Sequence, residues 1–146
     1  MGEEIDISPA FLGTGWSFPP TFDAGQAPPS VVMSSGDANI KQCLWVLFST
    51  SLGERIMAAT YGSGLRLKVF DALTETLIND IRSLILKAVL DWEPRIDVTR
   101  VEVTPVDPAA GEVAISVDYV VRQTNARSNL VYPFYLNEAT LAPPPM

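Results

Sequence analysis

The stretch Ala88-Val89-Leu90-Asp91-Trp92-Glu93-Pro94-Arg95-Ile96-Asp97-Val98 decides the fold, because the spacing of apolar residues changes across Pro94. Upstream, Leu77, Ile78, Ile81, Leu84, Ile85, Ala88 and Val89 recur at helical spacing and form one broad apolar face. Asp80, Arg82, Lys87 and Asp91 lie opposite. A helix starting near Asp71 or Thr74 is expected to stop before Pro94, whose ring removes a donor and clashes with the preceding turn. Downstream the period falls to 2, as in a strand. Between Ile96 and Thr104 the alternation slips: Ile96 and Val98 are apolar at even positions, Val101 and Val103 at odd ones. A bulge near Thr99 and Arg100 would absorb the extra residue and keep both halves facing the core.

On the carboxyl side, Val113, Ile115, Val117, Tyr119 and Val121 alternate without a fault, and Pro105, Asp107, Pro108 and Gly111 supply a turn before them. The two strands are therefore expected as an antiparallel hairpin. A last strand spans Leu130 to Leu136; its Pro133 cannot donate to a ladder, which places it at an edge. On the amino side, Ile40, Cys43, Leu44, Leu47 and Phe48 form a second helical stripe, with Ser34-Ser35-Gly36-Asp37 as its start and Gly53 past its end. Val31-Val32-Met33 reads as a short edge strand. The class is α+β: two main helices packed on one face of a small antiparallel sheet, with an extended N-terminal arm.

Nine of the twelve prolines lie in residues 1–30 or after residue 132, so the folded body is the middle of the chain. The expected organisation is an extended arm over 1–30, which packs outside the core, a single α+β domain over 31–137 and a loose proline-rich tail over 138–146. A chain of 146 residues can bury a core without disulfides or metal. With no histidine, Ser-His-Asp and Cys-His nucleophile systems and two-histidine metal sites are excluded. The lone Cys43 sits in an apolar run and reads as a buried hydrophobe. A net charge of -7 argues against nucleic acid and anionic lipid as partners. No apolar run is long enough to span a membrane, and the acidic start is unlike a signal peptide, so synthesis and assembly in the cytoplasm are expected. No cofactor or metal site is expected.

Candidate interaction residues cluster in three places. Pro94 forces Glu93 toward extended backbone, so Glu93 and Arg95 project to the same side as a two-signed clamp for a partner. The competing reading is a local ion pair that ties the helix end to the sheet. Glu54 and Arg55 form a second such pair after Gly53. Trp16 and Phe18 anchor an aromatic and proline cluster in the arm. Gly62-Ser63-Gly64 lacks the lysine and spacing of a phosphate loop and reads as a turn. Glu54, Asp91 and Glu93 are the carboxylates in distinctive settings, but neighbouring arginines oppose proton donation, so no catalytic residue is assigned.

The ordered set Gly15-Trp16-Ser17-Phe18-Pro19, Leu52-Gly53-Glu54-Arg55-Ile56-Met57, Tyr61-Gly62-Ser63-Gly64-Leu65 and Trp92-Glu93-Pro94-Arg95-Ile96 resembles the lysozyme-like baseplate wedge family. Members serve contractile phage tails, type VI secretion baseplates and extracellular contractile injection particles. A cysteine often stands in that family where Ser63 stands here, and a proline where Leu52 does. The resemblance implies a non-enzymatic sheath initiator, present in several copies, six in the expected ring, around the inner tube. Glu93, Pro94 and Arg95 would grip the helical core bundle of larger wedge proteins. The sheet edge around Val131, Tyr132 and Phe134 would accept a sheath strand, with inner tube or hub proteins as further partners. The alternatives are a peptidoglycan hydrolase using Glu54 or Glu93, and a small regulatory adaptor.

Overall fold

A computed structural model of the chain describes residues 12–25 and 27–137. Its body is the predicted α+β arrangement. The first helix, α1, spans Gly36–Ser49, and the second, α2, spans Glu75–Trp92. Thr74 caps α2, its side-chain oxygen accepting from Leu77 N at 3.2 Å, and the helix ends at Glu93, one residue before the proline. The α1 start differs from expectation: Ser35 holds the cap position but its side chain makes no capping bond. Asp37 instead accepts from the Tyr119 hydroxyl at 2.9 Å and Ser128 Oγ at 3.1 Å, fastening the helix start to the sheet.

Four short strands come from the arm and its return: β1 (Thr14–Trp16), β2 (Phe22–Asp23), β3 (Ser30–Val31) and β4 (Met33–Ser35). β1 pairs with β4 and β2 with β3, both antiparallel. The arm, expected to lack regular elements, thus forms two small ladders with residues 30–35, and the pairing runs across residue 30. Its proline content hid a turn of chain whose strands are only two or three residues long. The expected loose tail, 138–146, lies outside the described residues, as do residues 1–11.

The main sheet has the order β5-β6-β7, with β5 Ile96–Asp107, β6 Glu112–Val121 and β7 Ala126–Tyr135. The register of β5 against β6 shifts between Val98 and Arg100, which leaves Thr99 as the bulged residue, and again between Pro105 and Asp107. Every odd residue of β6 from Val113 to Val121 is buried against the helices, and α2 crosses β5 while α1 lies over β7. The opposite face of the sheet is open to solvent. Ile40, Leu44, Leu47 and Phe48 of α1 and Leu77, Ile81, Ile85 and Val89 of α2 fill the layer between. Cys43, expected in that core, is only half-buried at its margin.

Candidate functional site

The end of α2 brings together residues far apart in sequence. Glu93, released from the helix with φ -127° and ψ 77°, turns its carboxylate inward. Arg95 meets it with a parallel fork, Nε to Oε1 at 2.6 Å and Nη2 to Oε2 at 2.7 Å. The remaining Nη1 donates to Leu12 O at 3.0 Å and Asn39 Oδ1 at 2.9 Å. One guanidinium thus joins α2, β5, α1 and the arm. The Glu93 carboxylate beside it holds the Arg95 guanidinium well above the ordinary arginine range.

This corrects the picture of two charges displayed outward. The Glu93 side chain is 6% exposed and the Arg95 side chain 25%, and they are spent on each other. The reason is geometric: residues two apart on extended chain lie on one side, and here that side is the interior beneath the arm. Two glycines let the arm close over it. Gly13 takes φ +90°, and a Cβ at Gly15 would lie 2.7 Å from Asn39 Nδ2.

What remains outward is the rim. Trp92 Nε1 donates to Thr60 O at 3.1 Å, and its ring meets Tyr61 edge-on with centroids 5.2 Å apart. Arg55 lies 3.9 Å over the Tyr61 ring centroid. Loop 52–60 is thereby pinned to the helix end, with Ile56 and Met57 projecting fully into solvent. Glu54 turns back to accept from Ser51 N at 2.8 Å. A cavity of about 290 Å³ lined by Cys43, Leu47, Tyr61, Trp92, Glu93, Pro94 and Arg95 opens on one side of Pro94. On the other, a groove of about 420 Å³ runs between α2 and β5, bordered by exposed Leu86 and Leu90 and by the Asp97–Arg122 ion pair.

The glycine-serine-glycine segment is a packed turn. Ser63 N donates to Thr50 O and Ser63 Oγ to Phe48 O, both at 2.9 Å, which tethers the end of α1. Of the other expected contact residues, Trp16 is 64% exposed on β1, while Phe18 is half-buried against the core with its N–H on Gln42 Oε1 at 3.3 Å. On β7 the expectation divides. Val131 is exposed on the open face, but Tyr132 and Phe134 point to the helices and are 3% and 7% exposed. Tyr132 packs on Trp45 and Phe48 and bonds Ser49 Oγ, so its side chain is core rather than contact surface.

A family model for baseplate wedge protein gp25 matches residues 34–126. The chain belongs to the baseplate wedge protein gp25 family. A gp25-family chain is a baseplate component of a phage tail or tail-like particle. Among solved structures, it is similar to a chain from Geobacter sulfurreducens described as a tail lysozyme, at 37% identity and a TM-score of 0.69. That match covers 76% of this chain and 100% of the other. It is also similar to a chain of the sixfold-symmetrised anti-feeding prophage baseplate, at 27% identity and a TM-score of 0.64. There the coverage is 90% of this chain and 91% of the other. Among curated proteins no sequence matches. Among the described residues no helix of this gp25-family chain is long and apolar enough to cross a membrane.

Asn39, Tyr61, Trp92 and Leu90 were not singled out from sequence as contact or site residues. Asn39 had a signal: an amide beside the apolar stripe of α1, where helix propensity disfavours it. Leu90 had one too, falling off the buried face of α2.

Proposed function

We propose that this protein is a non-enzymatic baseplate part that joins the helical core bundle of larger wedge proteins to the first ring of contractile sheath and so initiates the sheath. The observation that carries the reading is the convergence of the arm, α1 and loop 52–60 on the end of α2, the first two tied there by Arg95 and the loop by Trp92. In this reading the Glu93–Arg95 pair acts from inside: it holds the rim of Leu90, Trp92, Pro94 and loop 52–60 in the shape a partner needs. The rim makes the grip. A buried pair of this kind sets geometry better than it supplies net attraction.

The likeness to a chain of a sixfold-symmetrised baseplate supports a ring of six copies. The test is to image particles made with and without this gene. Baseplates that lack sheath only in the deletion support the reading; normal sheathed particles without the gene refute it. The name of the Geobacter relative raises a second reading, peptidoglycan hydrolysis. Cell-wall clearing by the purified chain that Glu54→Gln abolishes would favour it over the first.

A further inference from the structure

Exposed apolar side chains are not confined to the rim at Pro94. Phe70, in the stretch that leads into α2, takes φ 71° and is 72% exposed. Left-handed backbone is an outlier for a bulky side chain. Among the described residues other than glycine, only Phe70 and Asn125 adopt it, and asparagine is a type that tolerates it. The surrounding chain fixes the conformation: Phe70 N–H donates to Leu136 O, and Leu136 N–H donates to Gly111 O. The ring thus sits at an unfavourable backbone position and gains no burial there. Glycine would hold the same turn without strain. Leu67, three residues earlier, is exposed as well.

The same end of the molecule is acidic. No Lys or Arg occurs in residues 69–81 or 101–121. Asp71 and Glu75 follow Phe70, and Asp107 and Glu112 flank the turn whose Gly111 carbonyl Leu136 reaches. Among the described residues neither Asp71 nor Glu75 has an ion pair, while Asp80 holds Lys68 at 3.0 Å. Directly after Phe70 in the chain, a cleft of about 270 Å³ opens, lined by Asp71, Ala72, Thr74, Thr76, Leu77 and Asp80. The length of β6, about 30 Å, separates this end from Ile96 and the Pro94 rim.

We propose that Phe70 is an anchor for a second protein of the particle, whose docking segment has an apolar socket beside a Lys or Arg. The socket covers the Phe70 ring, and the cationic side chain enters the cleft to meet Asp71 and Asp80. Charge selects this occupant. Carboxylates at this end of a chain of net charge -7 repel nucleic acid, anionic lipid and the same end of a second copy. The contact lies apart from those with wedge and sheath described above and depends on neither.

The test measures binding of the full chain to each purified baseplate, sheath and tube subunit of the same particle in turn, at low and at high salt. One of them is expected to bind with an affinity that falls as salt rises. Phe70→Gly is expected to keep or raise the unfolding midpoint of the parent chain and to weaken that complex at least about 30-fold. Asp71→Lys is expected to weaken it about tenfold and to flatten its salt dependence. A Phe70→Gly chain that unfolds at lower denaturant makes the ring a support of the monomer and overturns the anchor. Binding that Phe70→Gly leaves unaltered overturns it too, and so does the failure of every subunit to bind. An Asp71→Lys chain that binds as tightly as the parent overturns the cationic partner.

Discussion

Arg95 grips both oxygens of Glu93 while its third nitrogen reaches the Leu12 carbonyl and Asn39. The helix end, first long strand, first helix and arm are therefore coupled through one side chain. Replacing Arg95 with Ala leaves a buried carboxylate with no partner and is expected to cost about 3 kcal/mol. Lys keeps the charge but loses the fork, and is expected to recover less than half of that. The double variant Glu93→Gln, Arg95→Met is expected to cost less than the two single changes summed. Urea unfolding of the set checks this; additive losses would contradict the coupling.

Gly62 and Gly53 separate two effects of glycine. At Gly62 φ is +123° and a Cβ would sit 2.6 Å from Thr50 O, in rigid backbone. At Gly53 φ is +82° but the space is empty. Gly53→Ala is expected to cost about 1 kcal/mol of backbone strain, and Gly62→Ala at least about twice that. Equal shifts in denaturation midpoint would contradict the packed-turn account of residues 62–64.

Alkaline pH should loosen the body. Burial pushes the Tyr119 phenol well above its usual range; Ser128 opposes this, and Asp37 adds to it. Burial likewise raises Tyr132, against Ser49 and Arg66, and raises Tyr61, against Arg55. A group that binds its proton more tightly when folded contributes stability fully present below the unfolded value, about 10 for tyrosine, and lost as pH rises through the folded value. Stability is thus expected to fall above about pH 10, and less steeply in Tyr119→Phe. Urea unfolding across that range is the measurement, and an unchanged slope in Tyr119→Phe would contradict it.

The change of period at Pro94 was enough to place α2, β5 and the bulge at Thr99, because a one-sided apolar pattern leaves only one register. β6 was legible for the same reason. β7 begins four residues earlier than Leu130 because Ala126, Arg127, Ser128 and Asn129 carry no apolar alternation; β6 pairing alone makes them a strand. The arm ladders escaped because strands of two or three residues have no period. The candidate site was half visible. Spacing put Glu93 and Arg95 on one side, but not which side, since that depends on the arm and Asn39 arriving from elsewhere in the chain.

The rim around Pro94 is the centre of the functional account, and Leu90 probes it without touching the core, being 77% exposed beside the groove. The most direct measurement is copurification of Leu90→Arg with the coexpressed larger wedge proteins of the same particle. The variant is expected to keep the unfolding midpoint of the parent chain and to lose at least about 30-fold in wedge affinity. A folded Leu90→Arg chain that joins the wedge as tightly as the parent would contradict the account.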